Sequence, residues 1–347
     1  MKFLGRNFWI GFLVIVFLGV FLGIQFHDRA ITKGMDTYYS WVEGQRLLNK
    51  ENPYSRIHSG DMRENAKYAT YFPAFYELSA LSQYFGLRDL IPWSLFWRKV
   101  IVAFHVLVSL LLYFVYSAYD KRFLGFSFAL FWLFYRWPLY DLAAANFEPF
   151  PVFFLLISLV YFDRYPRLSL ISFGVSLALK QIGVFLAPLY LIWFVKNQQG
   201  KYLKNVFVAG FYIALLPALA SLPFLFWDFT GFMKSVFFSA TRLAAGHFSS
   251  ITVDSLFGLE GFLARFPMLV LFLLMYYLAW QYDFGKFSHS LLVMAVFVGY
   301  NPVLFPQYFS WMTVFVPFLF YDFILLQEKD SLNNQILGLG VFSPRQP

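Results

Sequence analysis

Apolar residues along this chain fall into blocks of up to about twenty, separated by short polar or basic stretches, from residue 8 to residue 326. An α-helix rises 1.5 Å per residue, so about 20 apolar residues match the hydrocarbon thickness of a bilayer. The pattern predicts ten membrane-spanning helices, at roughly 8–26, 98–118, 123–140, 147–163, 168–180, 182–195, 205–227, 262–281, 287–304 and 308–326. Between Leu168 and Val195 the only charge is Lys180, and a single helix over that stretch would exceed one crossing. A hairpin turning near Lys180 fits better. Its arms reach only about 20 Å each, which puts the turn below the outer surface in a polar cavity. An ammonium there costs about 2.5–3.5 kcal/mol and needs an anionic partner; the alternative is a lysine that snorkels to the headgroups.

Two shorter patterns follow the first block. Tyr38, Trp41, Val42 and Leu48 form an apolar stripe behind Asp36, which predicts a helix with Asp36 near its N-terminus, where the macrodipole favours an ionised carboxylate. The bland alternative is that Asp36 caps this helix. Residues 72–86 place Phe75, Leu78, Leu81 and Phe85 at helical spacing with Glu77, Ser82 and Gln83 elsewhere. That segment is too short to span and reads as an interfacial helix.

Composition agrees with the pattern: 60% of the 347 residues are hydrophobic, 13% are charged and the mean hydropathy is +0.59. Such values describe a polytopic membrane protein with no soluble domain between spans. The absence of cysteine excludes disulfides, thiol catalysis and thiolate zinc sites. The histidines, at 27, 58, 105, 247 and 289, show no metal-ligand spacing. The net charge of +8 comes largely from short loops. Lys2, Arg6, Lys121, Arg122, Arg164, Arg167, Lys196, Lys201, Lys204 and Lys286 share one side, which the positive-inside rule makes cytoplasmic, so nucleic-acid binding is not needed to explain them. Both termini then lie in the cytoplasm. The first block lacks a small-residue cleavage site and reads as a retained anchor. The expected organisation is one membrane-embedded domain, 1–327, with outer loops at 27–97 and 228–261 and a polar, unstructured tail at 328–347.

With the spans so oriented, Asp36, Lys67, Arg98, Arg136, Asp141, Asn146, Glu148, Lys180, Gln181, Arg242, His247 and Gln307 gather on the outer side. Arg136 is expected to pair with Asp141. A transporter would place ionisable groups near the midplane in two related halves, and no internal repeat is visible. One-sided polarity favours a reaction at the outer leaflet on a lipid-borne substrate.

Asp36, then Asn52-Pro53-Tyr54 sixteen positions on, then Tyr71-Phe72-Pro73 resemble the first outer loop of GT-C superfamily glycosyltransferases that use polyprenyl-phosphate sugars. The nearest comparisons are the family 87 mannosyltransferases and the first GPI mannosyltransferase. Further segments are similar to family motifs in the same order: Asn146-Phe147-Glu148, Ala178-Leu179-Lys180 with Pro188, Thr241-Arg242, His247-Phe248-Ser249, and Pro306-Gln307-Tyr308-Phe309-Ser310-Trp311 with Pro317. Each motif alone is weak; their order and spacing carry the resemblance, over most of residues 30–320.

The resemblance implies an all-α, GT-C-like helix bundle and an inverting transfer of a hexose, mannose foremost, from a polyprenyl phosphate to an outward-facing glycolipid or glycan. Asp36 is then the general base, and Lys180, Arg242, His247, Arg98 and Lys67 are candidates to hold the donor phosphate. Arg98 has the alternative of anchoring a span at the headgroups, and Lys67 that of a solvated loop charge. Gln307, Asn146, Glu148 and Tyr71 are candidates for sugar or acceptor binding, with helix capping the alternative for Asn146 and Glu148. Relatives with a paired Asp-x-Asp carry an acid where this chain has Gly34, which argues against a tightly held divalent metal and leaves no cofactor expected. A plasma-membrane location with the active side outward is preferred over the endoplasmic reticulum. A lipid-linked-sugar flippase or transporter, a glycan ligase using a diphosphate donor, and an inactive partner subunit remain as alternatives.

Overall fold

The structure, a computed structural model, describes residues 6–27, 29, 31, 35–58, 69–198, 200–241, 256–259, 262–301 and 304–336. Every regular element among them is helical. Four helices are long and apolar enough to cross a membrane: Asn7–Gln25, Leu90–Ser117, Tyr202–Trp227 and Tyr308–Gln327. Six further apolar helices, each of 10–17 residues, occupy Arg122–Phe134, Pro149–Val160, Pro166–Leu179, Gln181–Asn197, Phe266–Gln281 and Lys286–Tyr300. The chain is an all-helical membrane protein, and these ten segments fall on the ten apolar blocks.

We number the helices α1 (Arg6–Gln25), α2 (Asp36–Leu48), α3 (Ala74–Tyr84), α4 (Leu90–Ser117), α5 (Arg122–Phe134), α6 (Arg136–Ala144), α7 (Pro149–Val160) and α8 (Pro166–Leu179). The second half adds α9 (Ala187–Asn197), α10 (Tyr202–Trp227), α11 (Phe229–Thr241), α12 (Phe266–Gln281), α13 (Lys286–Tyr300), α14 (Tyr308–Thr313) and α15 (Val316–Ile336). Two 3-10 turns, Pro53–His58 and Gln181–Leu186, complete the set.

α1 lies antiparallel to α4. Tyr113 near the end of α4 donates to the Phe8 carbonyl at the start of α1, and Val102, about three turns earlier in α4, meets Gly23 near the end of α1. Small residues allow the approach: a Cβ on Gly11 would lie 2.5 Å from the Tyr113 hydroxyl, and one on Gly19 would lie 2.1 Å from Val106. Lipid supplies no hydrophobic drive between helices, so such close backbone packing substitutes for it. The other side of α1 shows Leu13, Phe17 and Ile24 outward.

α4 divides two apolar cores. One joins it to α1, α3, α5 and α6; the other joins it to α7, α8, α9 and the helices from α12 to α15. The turn at Lys180 forms the expected hairpin: Phe173 of α8 stacks on Tyr190 of α9 at 4.1 Å, and Tyr190 hydrogen-bonds Ser158 of α7. The basic turns meet at one end of the bundle, where Lys286 pairs with Asp163 and Lys196 donates 3.1 Å to the Trp280 carbonyl.

Three boundaries differ from the sequence reading. α4 begins at Leu90, not 98, because Ile91, Trp93, Phe96 and Trp97 continue the helix past the charge of Arg98. The block at 123–140 is two helices, broken at Tyr135. Pro138 has no N–H for the Phe134 carbonyl and its ring would clash there, so α5 stops and α6 restarts. Pro317 ends α14 at Thr313 in the same way. The polar tail is also not wholly irregular: α15 runs to Ile336, and residues 337–347 lie outside the described set.

α2 and α3 invert the usual arrangement. α2 buries Asp36, Thr37, Ser40, Glu43 and Gly44, and α3 buries Ser79 and Gln83 beside Phe75 and Tyr76. Leu81, Tyr84 and Phe85 face outward, as an interfacial helix would present them to lipid. Gly44 sets the spacing, since a Cβ there would sit 2.4 Å from the Ser79 hydroxyl.

Candidate functional site

The residues singled out by sequence sit where helices are interrupted. Asp36 opens α2, with Met35 as its N-cap in extended conformation. Asn146 and Glu148 occupy the link between α6 and α7, Lys180 the break after α8, and Gln307 the residue before α14. In a membrane protein, irregular backbone is tolerated where it is buried in protein or lines a polar cavity. Here it is buried.

These interruptions converge on Asp36. Tyr71 donates its hydroxyl to Asp36 Oδ2 at 2.9 Å, and Gln307 Nε2 donates to the same oxygen at 2.8 Å. Lys180 Nζ lies 3.7 Å from that oxygen and forms a direct ion pair with Glu148. Its ammonium also rests 4.8 Å from the centre of the Tyr71 ring and 4.7 Å from that of Phe147, a cation–π setting. Asn146 Nδ2 bridges Gln307 Oε1 and Asp141 Oδ1, both at 3.1 Å. Ser310 of α14 donates to the other oxygen of Asp141. Asp36, Asp141, Asn146, Glu148, Lys180, Gln307 and Ser310 are each no more than 7% exposed. Burial and the Asp36 carboxylate push the Tyr71 hydroxyl well above its usual pKa, so it stays a proton donor.

The aromatic-proline and Asn-Pro-Tyr motifs have a positioning role. Asn52 Oδ1 accepts the Tyr54 N–H at 2.9 Å, an Asx turn. Tyr54 then donates its hydroxyl to the Tyr71 carbonyl at 2.7 Å. The Gln181 amide clamps both neighbours of Tyr71, donating to the Thr70 carbonyl at 2.6 Å and accepting the Phe72 N–H at 3.3 Å. Tyr71 is thus held by its backbone so that its side chain meets Asp36. The N-cap of α2 is Met35; Asp36 is the first residue of the helix, and its Oδ2 takes the Tyr71 and Gln307 donors.

Arg98, expected at the start of a span as a phosphate ligand or anchor, stands two turns inside α4 and away from this cluster. Its guanidinium donates to the Arg29 carbonyl at 2.7 Å and to the Leu142 and Ala143 carbonyls at 3.3 and 3.5 Å. It satisfies the last carbonyls of α6 and thereby supports the link that carries Asn146 and Glu148. Arg136 does not pair with Asp141; it stacks over the Trp137 ring at 4.6 Å. Asp141 and Ser310 are therefore site residues that sequence reasoning did not assign. The available signal was a carboxylate five residues before Asn146 and a hydroxyl one helical turn after Gln307. Lys67, Arg242 and His247 lie outside the described residues.

Chemically, the cluster offers a carboxylate held by two donors with an ammonium beside it, which suits proton acceptance next to an anion. Among the described residues no group of three or more His, Asp or Glu side chains is arranged to hold a metal ion. Comparison with protein-family models, with curated proteins and with solved structures finds no match to this chain.

Proposed function

We propose that this chain is a membrane-embedded glycosyltransferase that moves a hexose, mannose foremost, from a polyprenyl phosphate to a hydroxyl of an outward-facing glycolipid or glycan. The observation that carries the reading is the convergence of Asp36, Tyr71, Gln307 and Lys180 from four separate interruptions in an otherwise apolar bundle. Those residues were selected by their likeness to the GT-C outer-loop motifs, and the fold proposed with them has ten spans. The end of the bundle opposite the basic turns is the outer side, in a plasma membrane.

In this reading Asp36 takes the proton of the acceptor hydroxyl while the acceptor oxygen bonds to the anomeric carbon. The bond from that carbon to the phosphate oxygen breaks, its electron pair leaves with the polyprenyl phosphate, and the configuration inverts. Lys180 stabilises the charge that develops on the phosphate. Lys67, Arg242 and His247 are the further cations proposed to reach it. Asn146, Gln307 and Tyr71 bind sugar or acceptor hydroxyls as well as orienting Asp36.

A lipid-linked-sugar transporter is the second reading, favoured by the buried Lys180–Glu148 pair, since intramembrane ion pairs also mark substrate pathways. A glycan ligase and an inactive partner subunit come after it. The test is transfer from radiolabelled polyprenyl-phosphate mannose to a crude glycolipid acceptor by the purified protein, with glucose and arabinose donors alongside. A labelled glycolipid is expected. Donor movement across proteoliposomes without any transfer would favour the transporter.

A further inference from the structure

Asp141 and Asp36 do not touch, yet three hydrogen bonds connect them. Asp141 Oδ1 accepts from Asn146 Nδ2 at 3.1 Å, the same nitrogen donates to Gln307 Oε1 at 3.1 Å, and Gln307 Nε2 donates to Asp36 Oδ2 at 2.8 Å. A primary amide has two hydrogens on nitrogen and none on oxygen, so its orientation is a choice between two states. Both hydrogens of Asn146 are committed: one to Asp141, one to Gln307. That commitment turns the Gln307 carbonyl towards Asn146 and its N–H towards Asp36. Were Asn146 reversed, its oxygen would face Asp141 and favour reversal of Gln307; were Gln307 reversed, its oxygen would face the Asp36 carboxylate. Such a contact is tolerable only if Asp36 carries a proton.

We propose that Asp141 is a positioning residue that fixes the direction of the Asn146–Gln307 amide relay, so that Asp36 is held as a proton-accepting carboxylate. Asp141 suits the task because it is fully buried on α6 and its second oxygen is held by Ser310 of α14. Neither end of the relay is free to turn. The consequence for rate rests on Asp36 being the general base; the orientation itself rests on the hydrogen-bond geometry alone.

Other charged and titratable groups surround the relay. Asp36 faces Tyr71 from the segment before α3, Lys180 from the break after α8, and, more distantly, Glu148 before α7, Tyr39 of α2, Tyr76 of α3 and Tyr140 of α6. Asp141 has Glu148 and Lys180 in range, with Tyr140 beside it on α6. These groups give the test its sign. Replacing Asp141 by an uncharged residue can only remove negative charge from the surroundings of Asp36, so by charge alone it cannot make Asp36 harder to ionise. Loss of the relay acts in the opposite direction.

The experiment is an infrared pH titration of the purified full chain, with the Asp36 carboxyl band identified as the one missing from Asp36→Asn. In Asp141→Leu the protonation midpoint of that band is expected to rise by roughly one pH unit relative to wild type. A fall, or no change, overturns the proposal. Asn146→Leu interrupts the same relay without changing charge, and the same rise is expected; no change there also overturns it, and it serves if Asp141→Leu does not fold. Thermal unfolding midpoints report folding of both variants. The band shift is read without any turnover, so a wild type that transfers no sugar would count against the glycosyltransferase reading and leave the positioning claim standing. Where transfer is seen, the acidic limb of the pH–rate profile should move upward with the band.

Discussion

Lys180 is the residue on which the site's stability turns. Its ammonium is fully buried between Glu148 and Asp36, with two aromatic faces beside it. Removing one partner of a buried pair strands the other's charge, at about 3–5 kcal/mol. Lys180→Met is therefore expected to lower the thermal unfolding midpoint in detergent markedly, and Glu148→Gln added to it should restore part of the loss. An unchanged midpoint in the single variant would mean the pair contributes nothing. At this scale the sequence was informative because polar side chains stand out among apolar blocks: Asp36, Tyr71, Asn146, Glu148, Lys180 and Gln307 were all named from it, and all meet. Asp141 was misassigned because Arg136 lies five residues away in sequence and offers an obvious partner. Both lie on α6, where five residues turn through about 140°, so their side chains leave from different faces. Arg98 read as a span boundary because charge normally ends an apolar block; the carbonyls of Arg29 and of the end of α6 accept its hydrogen bonds inside the protein instead.

Among the elements, the α2–α3 pair is the most unusual, since its polar faces point inward. Glu43 is completely buried on α2, with Arg56 Nη1 at 2.9 Å and Arg46 Nε at 3.5 Å. Burial nevertheless outweighs both arginines and raises its pKa from 4.5 to about 7. The unfolded chain loses this proton first, so between pH 4.5 and about 7 the folded state binds more protons and stability falls as pH rises. Below that window the glutamic acid is neutral in both states and the contribution is absent. Glu43→Gln, which mimics the neutral form, should match wild type in thermal midpoint below about pH 4 and exceed it by several degrees at pH 8. Equal midpoints at pH 4 and pH 8 would show that the arginines compensate the charge fully. The helices themselves were legible from apolar periodicity, but which face was buried was not. In a bilayer the apolar stripe of a short helix faces lipid as readily as core, so Leu81 and Phe85 turned outward and Ser79 and Gln83 inward. The breaks at Tyr135 and Thr313 were also missed, although Pro138 and Pro317 each sat four residues after the last carbonyl of the preceding helix.

For the whole molecule, ten apolar helices fall on the ten hydrophobic blocks, four of them long enough to cross a membrane, because an apolar run satisfies its backbone groups within its own helix. The meeting of distant residues was not visible: Asp36 and Gln307 are separated by 271 positions, and only the packing of α2, α6 and α14 brings them together. The basic turns lie at one end of the bundle and the Asp36 cluster near the other. The account's central claim is that Asp36 accepts a proton during sugar transfer. The most direct measurement compares wild type with Asp36→Asn for transfer from polyprenyl-phosphate mannose, with donor binding measured in parallel. Asparagine keeps the shape and removes the base. The account predicts that transfer drops by about 10² or more while donor binding persists. Transfer that proceeds equally in both proteins would contradict it.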